Sequence, residues 1–82
     1  MNSEQVPLSL RDIVADTLEI SPEEVTAETS SDSVDAWDSF RHLQLILSVE
    51  GEYGIQLDPQ QVPELTTVGK LQHALLQKGA SL

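Results

Sequence analysis

Apolar residues in this chain fall into three runs of helical period, separated by polar stretches rich in Ser, Thr, Asp and Pro. In the first run Leu10, Ile13, Val14 and Leu18 share one face at helical spacing. Ser9 is placed to cap that helix, with Asp12 three residues on as a weak capping box, and the helix should run to about Glu19. The second run, Phe40, Leu43, Ile46, Leu47, Val49 and Tyr53, predicts a helix over 39–53, and Leu45 widens its apolar arc. A helix apolar over so much of its circumference is buried on more than one side or offers an apolar strip to a partner. Gly51 weakens its last turns by about 1 kcal/mol relative to alanine, and Gly54 is a left-handed stop. The third run places Val68, Leu71, Leu75 and Leu76 on an inner face, capped by Thr66 or Thr67 and closed by Lys78 and Gly79.

The connections are unequal. Residues 20–37 form a linker longer than most loops inside compact domains, and such loops are either functional or disordered. Here Ser21-Pro22-Glu23-Glu24 reads as one helical turn, and Val25, Val34 and Trp37 are apolar anchors, which favours an ordered loop. After the second helix, Ile55 and Leu57 alternate with polar residues, but no second strand exists for them to pair with. Asp58-Pro59 starts another short helical turn, which Pro63 should stop. The expected fold is all-α: a bundle of three main helices plus a short extra helix, a four-helix bundle if that helix is counted, with a long loop between helices one and two. The 82 residues make one domain, 1–82, with 1–7 and 80–82 as frayed ends.

Charge narrows the partners. Fourteen acidic residues against four basic ones give a net charge of −10, which repels phosphate backbones and anionic lipid. Nucleic acid and membranes are therefore poor partners, and basic protein surfaces good ones. A hydrophobic fraction of 39% with clear periodicity supports a folded domain rather than a disordered acidic tail. A chain this short has a thin core, which argues against an enzyme with a pocket of converging groups. With no cysteine, any thiol chemistry requires an added group. The start of the chain lacks a signal-peptide pattern and no apolar run approaches a membrane span, so the expected state is a cytoplasmic monomer.

One stretch concentrates the candidate chemistry: Asp35-Ala36-Trp37-Asp38-Ser39-Phe40-Arg41, where the loop becomes the second helix. Asp38 or Ser39 at the N-cap would stabilise the helix by about 1 kcal/mol and needs no further role. A helix N-terminus also favours a phosphate attached there, and an adjacent carboxylate can help hold a metal ion brought by a phosphoryl-transferring partner. Trp37, the only tryptophan, is most simply a packing anchor. His42 lies one turn after Ser39, yet no glycine-rich oxyanion loop accompanies the pair, and a histidine on the solvent side is the ordinary case. His42 and His73 lack a ligand pattern, and an EF-hand reading of Asp32, Asp35 and Asp38 fails because Val34, Ala36 and Leu43 occupy ligand positions. No metal site is expected.

In its residues Ala36-Trp37-Asp38-Ser39-Phe40 the chain resembles the acyl carrier proteins, whose signature at this point reads G-x-D-S-L. The resemblance runs from about Leu8 to Lys78 and includes the long first loop, Tyr53 followed by Gly54-Ile55-Gln56-Leu57, the turn at 58–62, and Leu65-Thr66-Thr67-Val68. It implies a carrier without enzymatic activity. Ser39 would accept a 4′-phosphopantetheine arm from coenzyme A, with Asp38 assisting, and the arm's thiol would hold acyl groups as thioesters. The implied partners are a phosphopantetheinyl transferase, an acyl-loading ligase, and acyl-transferring or condensing enzymes. The resemblance assigns docking to Trp37, Phe40, Arg41, Gln44, Leu47 and Glu50, and an acyl-lining role to Leu43, Ile46, Leu47, Leu71 and Leu75, whose alternative is plain core packing.

Three departures matter. Ala36 replaces the usual glycine and Phe40 the usual leucine. The second helix, acidic in fatty-acid-synthesis carriers, here holds Arg41, Gln44 and Leu47, with Glu50 and Glu52 near its end. The negative charge sits instead at Asp12, Asp16, Glu19, Glu23, Glu24, Glu28, Asp32 and Asp35. A carrier for a dedicated pathway is the expectation. Its rivals are a peptidyl carrier for an aminoacyl group and an acidic helical interaction module without an arm.

Overall fold

The computed structural model describes residues 6–81. Three α-helices form the body: α1 (Leu8–Leu18), α2 (Ser39–Tyr53) and α3 (Val68–Gln77). One 3-10 turn, Pro22–Glu24, lies in the long first loop, and another, Val62–Glu64, precedes α3. No strand forms among the described residues; Ser30 and Thr67 make one isolated antiparallel bridge. The all-α architecture with its long first loop is the one the periodicity predicts.

The core is built from one stripe of each helix. Leu10, Val14, Ala15 and Leu18 of α1 are buried against Leu45, Ile46 and Val49 of α2 and Val68, Leu71, Ala74 and Leu75 of α3. Fully burying such side chains contributes roughly 1.5–3 kcal/mol each, which drives the assembly of helices too short to persist alone. The loops add Val25, Trp37, Leu57 and Leu65. Val6 and Ala80, placed in frayed ends by the sequence reading, are also buried, and the Ala80 N–H donates to the Leu75 carbonyl at 3.0 Å. Residues 1–5 and 82 lie outside the described residues.

Three local expectations are corrected. Ser9 does not cap α1: Pro7 occupies the cap with no side-chain bond, and the Ser9 hydroxyl instead meets the Tyr53 hydroxyl of α2 at 2.7 Å. Pro63 lies inside its turn rather than ending it, because its missing N–H costs nothing in a first turn. Leu76 is 52% exposed, and Ala74 takes the inner position between Leu71 and Leu75.

The long loop is held by backbone hydrogen bonds as well as by its buried Val25 and Trp37. The first backbone donors of α3 have no intrahelical partners by geometry, and the loop supplies them. Val68 N–H donates to Thr29 O at 2.9 Å and Gly69 N–H to Ala27 O at 2.8 Å, while Lys70 N–H reaches the Thr67 hydroxyl at 3.1 Å. Ser31 N–H donates to Thr66 O at 2.9 Å. Thr29, the one buried polar residue among those described, accepts from Thr26 N–H at 2.9 Å and donates to Glu24 O at 3.1 Å. This stapled loop delivers the chain to the start of α2.

Candidate functional site

At that junction three consecutive residues take three different directions. Trp37 is 3% exposed and belongs to the core. Asp38 is the N-cap of α2, its Oδ1 accepting the Arg41 N–H at 2.9 Å. Ser39 is the first helical residue and is exposed. Its own N–H and that of Phe40 are among the helix-start donors with no intrahelical acceptor. Neither the Ser39 hydroxyl nor Asp38 Oδ2 has a hydrogen-bond partner among the described residues. The site therefore presents a hydroxyl, free backbone donors at the positive end of a helix, and one uncommitted carboxylate oxygen.

Beside Ser39 runs a cleft of about 610 Å³, lined by Ser31, Trp37, Asp38, Ser39, His42, Leu43, Val62, Pro63 and Thr66. Its walls are the first turns of α2 and the second 3-10 turn. His42 joins them. The Trp37 indole N–H donates to His42 Nδ1 at 2.9 Å, and His42 Nε2–H donates to the Val62 carbonyl at 2.6 Å. The acceptor role of Nδ1 and the donor role of Nε2 fix the neutral Nε2–H tautomer. The two rings are 25° from parallel with centroids 6.1 Å apart, the separation of an in-plane hydrogen bond rather than of a face-to-face stack. His42 is half-buried and structural, where the sequence reading put it on the solvent side. No signal in the sequence marked it, since its two partners lie 5 residues before it and 20 residues after it.

The docking candidates divide. Phe40 (68% exposed), Leu43 (57%) and Leu47 (68%) form an outward apolar strip on α2, with Gln44 exposed beside it. Leu43 and Leu47 are not core packing, the alternative reading for those two, because Leu45, Ile46 and Val49 already fill the inner face, and Phe40 lies outside it with them. Ile46, Leu71 and Leu75 are core, as one of their two readings had it. Trp37 is buried and unavailable for docking. Glu50 is half-buried and accepts the Leu57 N–H at 2.8 Å, so it braces the loop after α2. Arg41 is turned back to α1, donating to the Thr17 carbonyl at 3.0 Å and pairing with Glu19 at 3.5 Å. No group of three or more His, Cys, Asp or Glu among the described residues could hold a metal ion, and no helix there is long and apolar enough to cross a membrane.

Comparison with known proteins fits this geometry. A family model described as "Phosphopantetheine attachment site" matches residues 9–75. The acyl carrier protein of Thermosynechococcus vestitus is 33% identical over 69 residues, covering 83% of this chain and 84% of that protein. That of Petrotoga mobilis is 28% identical over 79 residues, covering 95% of this chain and 92% of the relative. Among solved structures, the holo acyl carrier protein from Geobacter metallireducens superposes with a TM-score of 0.76 at 33% identity, covering 85% of this chain and 80% of that one.

Proposed function

The chain belongs to the acyl carrier protein family, and from that premise we propose that Ser39 is its point of phosphopantetheine attachment and that it serves a dedicated biosynthetic pathway. The family is one of carriers rather than enzymes, and a covalent phosphopantetheine is its prosthetic group. When bound, that group supplies a thiol on a flexible arm, which a chain without cysteine lacks.

The observation that carries the Ser39 assignment is its exposure at the first position of α2. The residues fit a phosphodiester. Ser39 Oγ provides the oxygen to be esterified, and the free N–H groups of Ser39 and Phe40 with the helix dipole favour the phosphate's charge. Asp38 keeps one oxygen on its cap bond and has the other free to help hold a metal ion brought by the phosphopantetheinyl transferase. The chain then acts by presentation: tethering raises the effective concentration of the cargo at a partner's active site.

The dedicated-pathway reading is supported by the face of α2. Its first turns expose Phe40, Leu43, Gln44 and Leu47 rather than acid, and Arg41 is neutralised by Glu19. Partners that load or transfer the acyl group would meet an apolar strip, which selects against enzymes that grip an acidic helix through basic patches. Intact mass after incubation with coenzyme A and a broad-specificity phosphopantetheinyl transferase tests the attachment. Addition of phosphopantetheine to the native chain and none to Ser39→Ala is the expected result; addition that persists in Ser39→Ala overturns it. Normal elongation on this carrier by a housekeeping fatty acid synthase would overturn the dedicated pathway alone.

A further inference from the structure

The cleft beside Ser39 has an inner wall made of one hydrogen-bonded chain, Trp37 to His42 to the Val62 carbonyl. This chain spans the gap between α2 and the turn before α3. Behind it the helices are filled: Leu45, Leu71 and Leu75 are completely buried and Ile46 nearly so, and none of the four lines the cleft. For a group carried on Ser39 to pass between α2 and α3, His42 would have to release Val62 and leave a buried-side carbonyl and an indole N–H unpaired. Unpaired buried polar groups are costly, so the closed arrangement is the dominant one.

From this wall we infer that His42 is a specificity-determining latch that keeps the cargo on the outside of the bundle; the inference rests on attachment at Ser39. Cargo is held in the open cleft against Leu43, Val62 and Pro63, with the hydroxyl-bearing Ser31 and Thr66 at hand. A cleft of mixed apolar and hydroxyl lining suits a short acyl group bearing a polar substituent, such as an aminoacyl or hydroxyacyl group, and gives a long alkyl chain no dry interior. His42 is a positioning residue: it acts through Val62 and touches no bond that is made or broken.

The test loads the full chain with octanoyl-phosphopantetheine and with unacylated phosphopantetheine, confirms each by intact mass, and compares methyl resonances between the two forms. In the native chain the octanoyl-dependent shifts should be confined to Leu43 and Val62. In His42→Ala they should spread to Ile46, Leu71 and Leu75, and hydroxylamine cleavage of the octanoyl thioester should slow by roughly tenfold, the population change that one or two hydrogen bonds control. A purely structural histidine would change the two loaded forms alike and leave their difference unaltered. Should His42→Ala not fold, His42→Leu, which deletes both hydrogen bonds while keeping most of the side-chain volume, carries the same comparison. Octanoyl-dependent shifts at Ile46, Leu71 and Leu75 in the native chain, or identical patterns in native and variant, overturn the latch while leaving attachment intact. A chain that gains no mass overturns the attachment, and the latch with it.

Discussion

Gly69, in the first turn of α3, should respond to alanine with the sign opposite to that of a helical glycine elsewhere in the same molecule. An exposed helical glycine replaced by alanine ordinarily gains about 1 kcal/mol, through reduced backbone entropy in the unfolded chain. Gly51 in α2 meets this condition: it is exposed and a Cβ there would have nothing within 4 Å. At Gly69 the Cβ would stand 3.0 Å from the Ala27 carbonyl oxygen, where ordinary contact begins at 3.4 Å. That oxygen is close because it accepts the Gly69 N–H at 2.8 Å. Relieving the clash means lifting the loop by a few tenths of an ångström, which strains this bond and the adjoining Val68–Thr29 bond at 2.9 Å. Weakening two such bonds costs roughly 1–3 kcal/mol, against the ~1 kcal/mol of propensity gained. The expectation is that Gly51→Ala stabilises by about 1 kcal/mol and Gly69→Ala destabilises by about 1 kcal/mol. Urea unfolding of the unmodified chain, followed by circular dichroism and by the fluorescence of the buried Trp37, measures both. Thermal midpoints should move about 4–8 °C in opposite directions. If Gly69→Ala were as stabilising as Gly51→Ala, the long loop would not be pinned to α3 by its backbone, and the account of how Ser39 is positioned would fail.

Other outcomes test the site more directly. Asp38→Ala should lose about 1 kcal/mol of stability by uncapping α2, whereas Asp38→Asn should keep the cap and slow phosphopantetheine transfer; equal transfer rates in the native chain and Asp38→Asn would remove the metal-assisting role. Thr29→Val leaves the Thr26 N–H and the Glu24 carbonyl without their partner and should cost roughly 1–3 kcal/mol in a urea melt. Glu19→Gln should change stability by less than about 1 kcal/mol, because the pair with Arg41 is 3.5 Å long and Glu19 is 75% exposed. The Glu23 carboxyl titrates below the usual glutamate range, chiefly because the Ser21 hydroxyl donates to it. A depressed carboxyl stabilises the fold above its unfolded value, and that contribution is lost as pH falls through the folded one. Ser21→Ala should raise the Glu23 midpoint in an NMR titration, and an unmoved midpoint would reject the assigned cause.

What could be read from the sequence was what depends on short-range periodicity. The bounds of α2, its Gly54 stop and the first short turn follow from neighbours within one or two turns, and all stand as expected. Thr67 was one of two candidate caps for α3, and its hydroxyl makes the cap bond to Lys70. Pro63 failed for a local reason, its place in a first turn, but the larger failures involve partners far along the chain. Ser9 looked like a cap because a serine before an apolar run usually is one; its hydroxyl is drawn 44 residues away to Tyr53. Glu50 looked like a docking acid, but the backbone turns after Gly54 and returns the Leu57 N–H to it. The over-wide apolar arc of α2 left it open whether Phe40, Leu43 and Leu47 faced inward. Only the packing of α1 and α3 against Leu45, Ile46 and Val49 decides that, and it leaves those three outside.

The placement of Arg41 brings charge and docking into one argument. A basic residue in the first turn of α2 opposes the helix dipole, which favours acids there, so its position costs stability unless other contacts offset it. The Thr17 carbonyl near the C-terminus of α1 and the Glu19 carboxylate supply that offset. Thr17 O lies in the last turn of α1, where a cation is favoured. Arg41 is thereby a strut between the end of one helix and the start of the next, beside the serine that α2 presents. Arg41→Glu would place an acid where the dipole welcomes it while setting it against Glu19 and removing the bond to Thr17. The two effects nearly cancel in stability, within about 1 kcal/mol, but not in recognition. The surface beside Phe40 and Gln44 would become acidic, and association with a basic partner should quicken and show a steeper salt dependence than that of the native chain. Stopped-flow binding of the phosphopantetheinyl transferase at two ionic strengths measures this. A salt dependence already as steep in the native chain would mean that its charge at α1 and the long loop does the docking that the apolar strip on α2 is assigned.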